Sequence, residues 1–182
     1  MFKPLIFKTM IFTLLSGITA NVSAEGFYLS STDIQGQIAN DQVFNSFGCS
    51  GKNISPQLSW RNAPAGTKSF AITAYDQDAP TGSGWWHWVV FNIRPTVDHI
   101  NTGDSGKNMP KASVESVTSY GSKGFGGACP PEGDKPHRYI FTVHALNTEK
   151  IEQNSGARPE LVGFFINSHA IAKSSIMAYY GR

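Results

Sequence analysis

The chain has 182 residues, 15 basic and 13 acidic, with only 15% charged side chains and a formal charge of +2. No basic stripe exists to neutralise nucleic-acid phosphates, which argues against that class of partner. Apart from one short run near the start, no long apolar segment exists to hold the chain in a bilayer.

That run belongs to the first residues. MFKPLIFK carries Lys3 and Lys8, TMIFTLLSGI is apolar, and TANVSA places Val22 and Ala24 where a signal peptidase reads small side chains. Residues 1–24 therefore read as a secretory signal, too short in its apolar part to be a membrane span. A periplasmic or secreted protein is expected, with residues 25–182 as a single domain. Loss of Lys3 and Lys8 leaves 13 basic against 13 acidic residues, so the excess positive charge belongs to the leader.

Strand signals dominate the rest of the chain. FYLSS (27–31), PQLSW (56–60), SFAITAYD (69–76), HWVVFNI (87–93), RYIFTVHAL (138–146) and SIMAYY (175–180) are short β-branched and aromatic runs between turn residues. HWVVFNI is apolar at nearly every position, as a central strand covered on both faces is. Thr96 to Phe125 is long, Gly/Ser-rich and weakly periodic, with VESVTSY (114–120) as a candidate strand inside it. ARPELVGFFINSHAIAK (157–173) predicts a helix, with Pro159 in its first turn and an apolar stripe through Leu161, Phe164, Phe165, Ser168, Ile171 and Ala172. His169 falls on its surface. The fold class expected is mainly β, most simply a Greek-key β-sandwich with a helix near the C-terminus.

Cys49 and Cys129 are the only cysteines, and an even pair in an exported chain reads first as a disulfide. A Cys129–His137 nucleophile pair is the alternative, opposed by the partner cysteine and the oxidising compartment.

Polar groups gather at three strand ends. Asp76 closes one strand, His87 opens the next after DAPTGSG, and His137 opens a third after GGACPPEGDKP. If the first two strands are antiparallel neighbours, Asp76 comes within reach of His87. If the third runs alongside in the same sense as HWVVFNI, His137 and Tyr139 reach the same rim. Four readings compete for this cluster. A hydrolase lacks a marked nucleophile, because GSG at 82–84 is not G-x-S-x-G. A zinc site through His87, His137 and Asp76 has no supporting H-E-x-x-H or paired C-x-x-C spacing. Histidines merely hydrogen-bonded in the core account better for His99 and His144 than for the two at strand entrances. The fourth reading is a small anion pocket with imidazole donors, Gly-rich backbone such as GFGG (124–127) offering N–H groups, and Trp85 or Trp86 with proline as walls.

DQDAP, GWWHWVVFN and PPEGDKPHRYIF, in this order, resemble the phosphatidylethanolamine-binding protein family, in its bacterial Raf kinase inhibitor-like branch. The likeness runs from CSGKNISPQLSW through PAGTKSFAITAYD to LVGFFIN, nearly the whole chain after the leader. It implies a β-sandwich with a strand-end pocket for phosphate-like anions and phospholipid head groups. Asp76, His87, Pro131, His137 and Tyr139 would line that pocket, with Trp85 nearby. It also implies a binding or inhibitory protein rather than an enzyme, with no cofactor or resident metal. A homodimer and a protein partner, such as an inhibited protease or kinase, are further implications. Three departures stand out: Gln77 where the family's D-P-D-A-P has proline, VTS (117–119) where bacterial relatives carry an Arg and an Asp, and no counterpart after Tyr180 of the eukaryotic C-terminal helix.

Overall fold

The computed structural model describes residues 26–182, so the expected signal peptide lies outside the described residues. Strands β1 (Tyr28–Ser30), β2 (Leu58–Arg61) and β5 (His99–Ile100) form a small antiparallel sheet in the order β1-β2-β5. The larger antiparallel sheet takes β6 (Val114–Glu115), β4 (Trp85–Ile93), β3 (Ser69–Asp76), β7 (His137–Leu146) and β8 (Ala170–Tyr180), in that spatial order. The helix α1 (Pro159–His169) runs directly into β8. Among the described residues no helix is long and apolar enough to cross a membrane.

Two apolar layers hold these elements. Leu29, Leu58, Trp60 and Ile100 from the small sheet pack against Phe70, Ile72, Trp88, Val90, Phe141 and Val143 from the large one. On the outer face, Ala71, Val89, Phe91 and Leu146 are covered by Val162 and Ile166 of α1. β4 is thus buried on both sides, which explains why HWVVFNI alternates so little. The mainly β sandwich with a late helix is as the sequence predicts.

Three local expectations fail. The helix stops at His169, and Ala170–Lys173 belong to β8, where the backbone groups pair with β7. The apolar stripe is misplaced: Leu161 and Phe164 are 45% and 64% exposed, while Val162, Gly163 and Ile166 face the sheet. LVGFFI is apolar around its whole circumference, so spacing alone leaves the buried face open. Trp86 decides it, because a Cβ on Gly163 would lie 3.2 Å from its ring, and only glycine lets the helix settle there without displacing that ring. The segment from Thr96 to Phe125, by contrast, does hold a strand within VESVTSY, β6, and a second, β5, each too brief to leave a periodic signal. His99 is also exposed and pairs with Asp98 at 2.7 Å, so it is no core histidine.

Candidate functional site

β3 is antiparallel to both β4 and β7, so those two run in the same direction. Their first residues therefore meet the last residue of β3 at one rim. The register places Asp76 opposite Trp85 on one side and opposite Tyr139 on the other. Asp76, His87 and His137 are each at most 3% exposed. Burying three polar side chains at one strand end is costly unless each finds partners, so their partners decide what the rim can do.

Both histidines come within reach of Asp76, and the structure decides between them. Asp76 does not take His87; its Oδ2 accepts from His137 Nδ1 at 2.7 Å. Its Oδ1 accepts from the Asp78 backbone N–H at 2.9 Å, closing an Asx-type turn over DQDAP. His87 instead turns Nδ1 to the carbonyl oxygens of Gly126 and Gly127, at 2.8 and 3.1 Å. A carbonyl only accepts, so the His87 proton sits on Nδ1. GFGG accordingly offers His87 its carbonyls and does not present N–H groups to an anion. The Gly126 N–H donates to His87 O and the Gly127 N–H to Asn53 Oδ1. Glycine is required at 126, where a Cβ would lie 2.5 Å from the Tyr120 ring.

Burial holds the His87 imidazole below the ordinary histidine range, against the raising effects of the Gly126 carbonyl and the Asp76 charge. Its Nε2 is buried and has no protein partner. Burial, then the Asp76 charge, pushes the Tyr120 and Tyr139 phenols well above their usual range, so both stay protonated. Tyr120 donates to Gly127 O at 2.9 Å. The Trp85 indole N–H lies beside the Tyr120 hydroxyl without a hydrogen bond of normal geometry.

These groups enclose a cavity of about 200 Å³, lined by Phe47, Asp76, Ala79, Pro80, Thr81, Trp85, His87, Tyr120, Cys129, Pro130, Pro131 and His137. Five of the six predicted site residues are on its wall: Asp76, Trp85, His87, Pro131 and His137. Tyr139 is not. It shares a strand face with His137 but lies two residues deeper in the sandwich core, edge-on to His87 at 5.1 Å.

Tyr120 and Phe47 escape sequence reasoning. Tyr120 stacks on Phe44 at 4.1 Å and stands edge-on to Trp85 and His87. It closes VESVTSY, whose β-branched pattern reads as a strand and conceals a pocket aromatic at its end. The Cys49–Cys129 disulfide ties the Phe47 loop to the proline wall. Arg182 reinforces the tie, donating from Nε to Pro130 O at 2.7 Å and from Nη1 to Gly48 O at 3.0 Å. That contact joins residues more than fifty positions apart, which no local pattern announces.

Two departures from the family pattern acquire a structural account. Arg138 grips Asp78 through its backbone N–H, Nε and Nη2, at 2.6 to 2.9 Å, and this hydrogen bonding holds the Asp78 carboxyl down at about 2. With its amide turned to suit its neighbours, Gln77 also accepts from Arg138, at 2.7 Å. The turn is thus held by side chains where proline would have fixed φ. In VTS, Ser119 exchanges two bonds with Trp86, and Thr118 accepts from the Tyr120 N–H. These residues position the aromatic wall and bring no charge to the cavity. Among the described residues, no three His, Cys, Asp or Glu side chains are grouped to hold a metal ion.

The phosphatidylethanolamine-binding protein family model matches residues 34–181. Over 180 residues the chain is 47% identical to the UPF0098 protein YbcL of Escherichia coli, covering 95% of this chain and 98% of that protein. It is also 47% identical to YbhB of the same organism, over 79% of this chain and 92% of the relative. The crystal structure of E. coli YbcL superposes with a TM-score of 0.85 over 87% of this chain and 99% of that one. A homologue from Chlamydia trachomatis, 27% identical, gives 0.71 over 86% and 98%. With the sandwich, the strand-end cavity and these matches together, the chain belongs to the phosphatidylethanolamine-binding protein family.

Proposed function

We propose that this is an exported binding protein whose strand-end cavity holds a small oxyanion, such as phosphate or a phosphorylated head group. The observation that carries the reading is the rim itself. Asp76, His87 and His137, nearly fully buried, converge on a small cavity walled by Trp85, Tyr120 and two prolines. A pocket with an apolar wall and a few convergent polar groups is the usual form of a small-ligand site. The hydroxyl and sulfur groups on its wall are already committed, which favours holding a ligand over attacking one. Thr81 Oγ1 donates to Gly84 O, Tyr120 to Gly127 O, and Cys129 is in the disulfide. The disulfide agrees with an oxidising compartment. Titration with inorganic phosphate and phosphoethanolamine, comparing wild type with His87→Ala, tests the reading. Affinity in the wild type that the variant loses supports it; equal affinity in both, or none in either, overturns it.

A second reading is a protein-interaction or inhibitor role with the pocket unused. Phe47 at the cavity mouth is 67% exposed, and Phe164 and Leu161 are exposed on α1. A protein partner whose binding survives His87→Ala but not Phe164→Ser would favour that reading.

A further inference from the structure

The edges of the two sheets are unequal. β1, β5 and β6 close their sheets with two or three residues each, too short to template another strand, whereas β8 closes the large sheet with eleven. β8 pairs with β7 on one side, in an unbroken register from Ala172 to Tyr180. The Tyr179 N–H and C=O turn the other way, to Gly36 O and the Ile38 N–H, both at 3.0 Å. Backbone groups alternate in direction along a strand, so those of Lys173, Ser175 and Met177 share the Tyr179 direction. Among the described residues they meet no partner there. Ala172, Ile176 and Ala178 pack toward the core, and the side chains between them are exposed on the outer face. Two of the exposed residues of β8 are large and apolar, Ile171 at 41% and Met177 at 42%.

We propose that the β8 edge from Ile171 to Met177 docks an extended segment of a protein partner, which joins the large sheet as a further strand through main-chain hydrogen bonds. The open stretch is about 23 Å long. It is bounded by α1, which runs straight into Ala170, and by Gly36 and Ile38 at Tyr179. These bounds disfavour a second copy of this chain, because a two-fold pairing of β8 with itself is antiparallel. With Ser175 on the axis, Ile171 falls opposite Tyr179 of the other copy, whose edge Gly36 and Ile38 already hold. Moving the axis to Lys173 sets two ammonium groups face to face, and a lysine on an edge strand is a common guard against self-pairing. A tail or loop with no helix attached meets neither obstacle. The segment that complements the strip is apolar opposite Ile171 and Met177 and acidic opposite Lys173. No residue of β8 lines the strand-end cavity, so this inference stands or falls apart from the anion reading.

The test is amide hydrogen exchange by nuclear magnetic resonance on the full mature chain, with two capped peptides, VTETTTV and its reverse VTTTETV. They set the glutamate beside Lys173 in the parallel and the antiparallel sense. Without peptide, the amides of Lys173, Ser175 and Met177 should exchange at least about tenfold faster than those of Ser174 and Ile176, which face β7. With one of the peptides at about twice its Kd, exchange at those three positions should slow about threefold, with Ser174 and Ile176 unchanged. Replacing the glutamate of that peptide with lysine should weaken binding about threefold, and Lys173→Glu, a surface change, should reverse the preference. No effect on β8 from either peptide, protection that does not follow the alternate-residue pattern, or equal affinity for the glutamate and lysine peptides overturns the inference. Protection of the same three amides that rises with protein concentration in the absence of peptide gives the edge to a second copy, and overturns it too.

Discussion

Two buried histidines on the large sheet have different fates. His87, at the rim, is surrounded by carbonyls, tyrosines and the Asp76 carboxylate, and it borders a cavity walled by aromatics and proline. His144, near the far end of β7 on the outer face, meets Thr73 Oγ1 at 3.1 Å and shares a cross-strand pair with Lys173. Burial lowers the pKa of both, and at His144 the Lys173 charge adds to it, taking that ring to about 4. Burial and a shifted pKa are therefore not enough to mark a site. His144 also lines a cavity, of about 160 Å³ on the outer face, so what separates the two is a tautomer fixed by two carbonyls beside a carboxylate, at the end of the sheet where three strands start or stop together.

The comparison breaks first at the rim's covalent tie. Replacing both Cys49 and Cys129 with Ser releases a loop that spans 80 positions, and the chain-entropy model expects a loss of about 4 kcal/mol. Denaturant unfolding of the double variant should show that loss, and pocket affinity should fall with it because only Arg182 then joins the Phe47 loop to Pro130. A stable double variant with unchanged phosphate binding would remove the disulfide from the account of the site. Asp76→Ala should come next. It strands the His137 and Asp78 N–H donors, at about 1–3 kcal/mol for each buried group, and should abolish anion binding. Retained binding in a folded Asp76→Ala protein would show that the rim does not depend on its carboxylate.

The pH dependence engages both histidines. The folded pKa of His144, about 4, lies below the 6.5 of an unfolded histidine, so the unfolded chain binds more protons between those values. Stability contributed by the neutral ring is complete above about pH 6.5 and is lost as pH falls toward 4, by about 3 kcal/mol in all. His87 acts in the same direction. Urea midpoints measured from pH 7 to 4.5 should fall in wild type and fall less in His144→Gln. An identical slope in the two proteins would mean that His144 does not titrate as its burial requires.

The rim is more legible in the sequence than the pairing within it. Asp76, His87 and His137 can be placed at one strand end because turn residues flank the runs they bound, and two antiparallel pairings then bring them together. Which histidine takes the carboxylate is not legible. It depends on carbonyls of GFGG that arrive from a loop nearly 40 residues away, and a sequence shows side chains but not the direction of backbone groups. Arg182 and Tyr120 are hidden for the same reason. The face of α1 is hidden because LVGFFI has no polar side.

The smallest expected effect is the one that isolates His144 from the rim. Thr73→Val keeps the β-branched shape suited to β3 and removes only the hydroxyl that meets His144 Nε2. The His144 Nδ1 already has no partner, so the variant leaves both ring nitrogens buried and unpaired. That should cost about 1 kcal/mol at neutral pH. Phosphate affinity should stay within error of wild type, because Thr73 does not line the rim cavity. The acid sensitivity should persist, since the ring remains buried and Lys173 remains beside it. Calorimetric phosphate titration alongside urea unfolding checks both halves. A drop in affinity with the small loss of stability would mean that the outer face and the rim are coupled through β3, and that the two histidines belong to one system after all.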